Sequence, residues 1–237
     1  MAPTEPAPSA DDATAIELDG LERHYGERVA LAEVTLTVPA GRTLVVFGPN
    51  GAGKSTLLRV LATLLRPHGG SARVLGRELP REAWAVRGHV GLLAHEPLLY
   101  RDLTARENLR YQARLYGAAA GRIEELLERV GMTHRADEPV RSLSRGMVQR
   151  VAVCRSVLHD PEVLLLDEPR ANLDPAAAAL VEPLIGRTSA RTRVLTSHDV
   201  EGGLSEADVV LGLRAGRVRL LANAAAADRD LITELYR

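Results

Sequence analysis

Lys54 is the single lysine of a 237-residue chain whose 30 Lys and Arg residues are otherwise all arginine. It lies in Gly48-Pro49-Asn50-Gly51-Ala52-Gly53-Lys54-Ser55-Thr56. A drift toward arginine spares one lysine only where an ammonium works and a guanidinium does not. The spacing Gly48-x-x-x-x-Gly53-Lys54-Ser55 is that of a phosphate-binding loop, whose backbone N–H groups curl around phosphates while the lysine reaches the β and γ oxygens. A planar guanidinium is too broad for such a pocket, and a compact ammonium fits. The Ser55 hydroxyl stands where it can ligate Mg²⁺, and the helix that must follow adds the positive end of its dipole.

A second pair of chemical residues, Asp167 and Glu168, ends the apolar run Val163-Leu-Leu-Leu166. In an α/β sheet, ligands bind at the ends of such strands. An unpaired carboxylate there costs several kcal/mol, so a cation such as Mg²⁺ is the natural partner of Asp167. Glu168 can then orient or deprotonate an attacking water. The one cysteine, Cys154, sits in an apolar helical run and reads as a buried small hydrophobe without chemistry.

These groups need elements to hold them. Arg42–Phe47 is a short β-rich run before the loop, and Ser55–Leu65 has helical apolar spacing after it. Residues 16–47 alternate as strands, with turns at Asp19-Gly20, Tyr25-Gly26 and Pro39–Gly41, and residues 71–94 continue as short strands. From Thr104 the pattern turns helical: Thr104-Ala-Arg-Glu107 is a capping box, and a further helical stretch, 121–130, ends at Gly131. A mostly helical insertion over about 96–160 follows from this. Val163–Leu166 and Arg193–Thr196 read as buried parallel strands, and 208–219 as a hairpin turning at Ala215-Gly216. The fold class is therefore α/β, a P-loop NTPase parallel-sheet core with an N-terminal antiparallel β subdomain and an inserted helical subdomain. Residues 1–15, rich in Ala, Pro, Ser and Asp, read as a disordered leader, and 16–237 as one domain. A net charge of −1 gives the chain no field to track a polyanion, so no nucleic-acid partner is expected. No apolar run approaches the roughly 18 residues of a membrane span.

Taken with Ser142-Leu-Ser-Arg-Gly-Met-Val-Gln-Arg150, these motifs resemble the ATP-binding cassette (ABC) ATPases over residues 16–218. The resemblance implies a chain that binds and hydrolyses Mg·ATP in a head-to-tail homodimer or pseudo-dimer. It implies that Leu143–Met147 is the signature that faces the γ-phosphate of the opposite subunit, with Ser144 and Gly146 matching and Arg145 and Met147 departing from the pattern. It assigns Ala171–Asp174 to the loop at the dimer contact, with Asp174 also an N-cap. His198 resembles the switch histidine at the γ-phosphate, and Tyr25 the aromatic that stacks on adenine. One motif departs: a glutamine that touches Mg²⁺ and relays nucleotide state is absent, and His95 and Glu96 stand in its place. The expectation is that Glu96 serves the metal and His95 the hydrogen bond.

The same resemblance implies a cytoplasmic subunit, peripheral on the inner face of the cell membrane through a separate integral-membrane permease. His95-Glu96-Pro97, Leu103–Leu109 and Ser144–Arg150 are most similar to the haem-exporter ATPase of cytochrome c maturation. They are also similar to exporters of drugs, lipids or polysaccharides. A soluble iron–sulfur assembly ATPase of the same superfamily is the reading without transport.

Overall fold

A computed structural model of the chain describes residues 13–237. Of the leader expected over 1–15, residues 1–12 lie outside the described part. Thr14 and Ala15 do not belong to it: they open β1 (Thr14–Tyr25), where Thr14 pairs with Pro39 and Ala15 is buried. Composition marked these residues as leader, and cross-strand pairing overrode it.

β1 pairs antiparallel with β2 (Arg28–Pro39). The turn expected at Asp19-Gly20 is a bulge inside β1, with Gly20 at φ 57° and a register shift between Leu18 and Leu21. A bulge adds a residue without ending the ladder, so the strand continues. β3 (Thr43–Phe47) is buried along its length and leads through the glycine-rich loop into α1 (Lys54–Leu61). β4 (Gly69–Val74) and β5 (Arg77–Leu79) complete a four-stranded sheet of order β2-β1-β4-β5. The strands expected across 71–94 are then interrupted. Pro80 has no N–H to extend a ladder, and the chain coils through α2 (Ala83–Val86) and a 3₁₀ turn, Arg87–His89, before β6 (Val90–Leu93).

The helical segment holds α3 (Ala105–Tyr116), α4 (Gly121–Arg129) and α5 (Arg145–Val157). The capping box of α3 is complete: Glu107 N–H donates to the Thr104 hydroxyl at 3.1 Å, and Thr104 N–H donates to the Glu107 carboxylate at 2.8 Å. β7 (Val163–Asp167), α6 (Pro175–Ile185), β8 (Thr192–Thr196), α7 (Val200–Glu206), the hairpin β9 (Val209–Arg214) and β10 (Arg217–Asn223), and α8 (Arg229–Glu234) follow. The second sheet has the order β10-β9-β3-β8-β7-β6. β9, β3, β8, β7 and β6 run parallel, and β10 closes the edge antiparallel.

Two apolar cores flank this sheet. Leu44, Val46, Leu165 and Val194 point toward α1 and the antiparallel sheet; Val45, Phe47, Leu164, Leu166 and Leu195 point toward the helical side. Because both faces are covered, the central strands carry apolar residues at successive positions rather than alternate ones. Asp167 and Thr196 are the buried polar residues at the carboxyl ends of β7 and β8, while Thr43, Thr192 and Arg193 are buried at the amino ends of β3 and β8.

Candidate active site

The carboxyl ends of β3, β6, β7 and β8 lie side by side, and each hands the chain to a polar loop. After β3 the loop is shaped by glycines that no other residue can replace. At Gly48, φ is 145° and an added Cβ would lie 2.1 Å from the Leu213 carbonyl oxygen; at Gly53, φ is 110° and the Cβ would lie 2.4 Å from that of Ala30. This crowding presses the loop onto β9 and β2, and α1 starts at Lys54 with its N-terminal N–H groups toward the site.

Lys54 is buried and donates from Nζ to the carbonyls of Gly48 at 2.5 Å and Pro49 at 3.1 Å. Burial lowers its pKa, and the charges of Glu168 and then Asp167 pull it partly back. Asp167 ends β7 and is also buried. Its Oδ1 accepts from the Thr196 hydroxyl at 2.7 Å, and that same hydroxyl accepts from the Glu168 N–H at 3.0 Å. Thr196, at the end of β8, thus fixes both carboxylate residues to the neighbouring strand. Glu168 itself is held at φ 52°, a left-handed conformation that costs of order 1 kcal/mol or more and persists where the surroundings enforce it. Its Oε1 lies 2.6 Å from His198 Nε2.

A cavity of about 420 Å³ is lined by Asn50, Gly51, Ala52, Gly53, Lys54, Ser55 and Thr56, with Tyr25, His95, Asp167 and Glu168 around them. Gly48 and Pro49 stand behind it and hold the lysine. His198 lies next door, in a smaller cavity of about 190 Å³ that shares Glu168. His95 lines the main cavity, and Glu96 is not among its lining residues. Ser144, Arg145 and Gly146 are outside both cavities; the Ser144 hydroxyl accepts from Met147 N–H at 3.3 Å and caps α5. Asp174 caps α6 by accepting from Ala177 N–H at 2.7 Å. Cys154 is buried, with its thiol pushed up to about 12 by burial.

Three participants were not singled out from sequence. Arg28 and Arg59 line the main cavity and place two cations beside the phosphate loop. Arg28 pairs with Tyr25 across the β1–β2 turn, so a hairpin register drawn from Tyr25 would have found it. Thr196 carried no signal of its own, because a threonine ending a strand is ordinary until its two partners are known.

The site's chemistry suits a magnesium polyphosphate. Ser55 and Asp167 offer hard oxygen donors to the same cavity, which a buried ammonium also lines. Among the described residues no group of three or more His, Cys, Asp or Glu side chains gathers to hold a metal.

A family model described as ABC transporter matches residues 31–171, more than half of the chain. The chain belongs to the ABC transporter family. It carries the ATP-hydrolysing domain of that family. It is 43% identical over 213 residues to the daunorubicin resistance ATP-binding protein DrrA3 of Streptomyces coeruleorubidus, covering 86% of this chain and 67% of the relative. It is 37% identical over 252 residues to the phosphonates import ATP-binding protein PhnC of Anaeromyxobacter dehalogenans, covering 99% of this chain and 50% of the relative. The chain thus spans about half to two thirds of the length of these ABC relatives. Among solved structures, an ATP-binding subunit of an ABC transporter superposes with a TM-score of 0.84 at 27% identity, covering 94% of this chain and 99% of that one. Among the described residues no helix is long and apolar enough to cross a membrane.

Proposed function

We propose that this chain is the ATPase subunit of an exporter, working as a head-to-tail dimer on Mg·ATP and driving a separate membrane permease. The observation that carries the dimer is the split of the expected site. Lys54, Ser55, Asp167 and Glu168 converge on one cavity, while Ser144 and Gly146, the signature residues, lie outside it. A second copy supplies the missing serine and helix N-terminus, and each nucleotide then touches both subunits.

The residues divide the work as follows. Tyr25 stacks on the base, and Asn50–Thr56 wrap the phosphates with backbone N–H groups. Lys54 exchanges its carbonyl partners for the β and γ oxygens. Ser55 and Asp167 hold Mg²⁺, which when bound supplies charge neutralisation and Lewis acidity at the phosphates. Glu168 accepts a proton from the attacking water as the water oxygen bonds to the γ-phosphorus and the bond to the β,γ-bridging oxygen breaks. His198, which pairs with Glu168 at 2.6 Å, orients that carboxylate and meets the γ-phosphate through the same ring. His95 reports the state of the site to the permease, with Glu96 beside it and Asp174 on the dimer face. Loss of the γ-phosphate contacts then releases the closed dimer.

Mixing two silent variants tests the composite site. A Lys54→Ala chain and a Ser144→Arg chain are each expected to lack turnover. Their mixed dimer regains one site built from the intact half of each, so activity returns on mixing. No recovery from folded, dimerising variants sinks the head-to-tail arrangement.

For cargo, the daunorubicin resistance relative favours export of a drug-like molecule. The haem-exporter reading rests on His95-Glu96-Pro97 and the signature region and is carried as the second cargo class. A strain lacking the chain is expected to become drug-sensitive with normal cytochrome c content. Loss of cytochrome c moves the cargo to haem, and slowed phosphonate uptake with unchanged drug tolerance refutes export. Recovery of the tagged chain only with soluble partners would favour the iron–sulfur assembly reading.

A further inference from the structure

A residue far from every recognised motif joins the phosphate loop to the switch-histidine loop. The phenol oxygen of Tyr236 accepts from Gly48 N–H at 3.2 Å and donates to the Ser197 carbonyl at 3.2 Å. Gly48 opens the phosphate loop, and Ser197 immediately precedes His198. The Tyr236 and His198 rings lie 6.2 Å apart at 57°.

The tyrosine is held by its neighbours. Ile232 of α8 and Leu235 are buried in the same core as Phe47 and Val210. Leu235 occupies the space that a side chain at Gly212 would take, since a Cβ there would lie 2.7 Å from its Cδ1. Burial raises the pKa of Tyr236, so it keeps the proton that it donates. The histidine loop has few other restraints on this side. Ser197 N–H donates to Val46 O at 3.3 Å, and the Ser197 hydroxyl turns back on its own segment, bonding Asp199 N–H at 3.1 Å and Asp199 O at 2.9 Å.

We propose that Tyr236 is a positioning residue for ATP hydrolysis, fixing the separation between the phosphate loop and the His198 loop through its single hydroxyl. The inference rests on the reading that both loops act on the γ-phosphate. Its chemistry is local: the hydroxyl replaces two independent loop positions by one, so the imidazole meets the phosphate without searching. Preorganisation of this kind is felt in turnover more than in nucleotide binding.

The test is a double-mutant cycle in the full chain, with Tyr236→Phe and His198→Ala read by ATP turnover and nucleotide affinity. Tyr236→Phe is expected to lower kcat about tenfold, with nucleotide affinity and the thermal midpoint near wild type. In the His198→Ala background the same change should alter the residual single-turnover rate less than twofold, because its effect passes through the imidazole. Wild-type kcat in Tyr236→Phe overturns the inference. So does an equal loss in both backgrounds, or a loss accounted for by a lower thermal midpoint, since each marks a packing role. Wild-type turnover that Glu168→Gln abolishes shows that the functional reading stands whichever way Tyr236 falls.

Discussion

Thr196→Val removes one oxygen and leaves the shape of the strand end. The hydroxyl is buried, donates to Asp167 Oδ1 at 2.7 Å and accepts from Glu168 N–H at 3.0 Å, so valine orphans an acceptor and a donor together. Each unsatisfied group costs about 1–3 kcal/mol. Part of the Asp167 cost is recovered by rotation toward the cavity, which leaves an expected loss of roughly 2–4 kcal/mol. For a domain of this size that is a fall in Tm of roughly 5–15 °C. Turnover should fall as well, because the lost bond anchors the left-handed backbone of Glu168, the proposed general base. Urea and thermal unfolding read the first effect, and steady-state ATPase reads the second. Thr196→Ser is the control: it keeps the hydroxyl and should cost about 1 kcal/mol with turnover largely kept. A Thr196→Val protein within about 0.5 kcal/mol of wild type, or a Thr196→Ser protein equally damaged, refutes the assigned relay.

Three further outcomes follow from the same geometry. Lys54→Arg should abolish ATP turnover in a folded protein, although arginine fills every other basic position; wild-type turnover would remove the reason for a lone lysine. His95→Ala should slow turnover more than Glu96→Ala, since only His95 lines the cavity; the reverse order, measured on both single variants, would restore Glu96 as the leading contact. Cys154 contributes a pH slope. Its native thiol pKa is about 12, and the unfolded value is roughly 8.5. Between these values the native state holds the proton that the unfolded chain has released, so stability is complete below the lower value and falls as pH rises. The slope is about 1.4 kcal/mol per pH unit, and Cys154→Ala should flatten the curve of unfolding free energy against pH between 9 and 11 by that amount.

The sequence was most legible where local chemistry leaves little choice. Gly48 through Gly53 must be a loop between a strand and the helix that Lys54 opens, because closely spaced glycines before a lone ammonium have no better use. Val163–Leu166 ending in two acids could only be a buried strand with a polar tip. Legibility failed where partners are remote. Tyr236 bonds a glycine 188 residues away, and Thr196 reaches back 29 residues to Asp167; no window of periodicity contains both ends. Thr14 and Ala15 were misread for a related reason, since their composition suits a leader and only the pairing of Thr14 opposite Pro39 and the burial of Ala15 make them strand. Across 71–94 the expected strands are broken after Leu79, where Pro80 offers no N–H and 83–89 coils into helical turns.

The solitary Lys54 also makes the chain an unusual reagent. Within these 237 residues its ε-amine is chemically unique, and burial lowers its pKa from the ordinary lysine value. An acylating probe therefore meets one side-chain target, and that target is the floor of the phosphate loop. The α-amino group aside, every adduct counts an accessible loop and every protected chain counts a bound phosphate. Site occupancy could then be read from one mass shift, without mutating the protein or removing competing lysines.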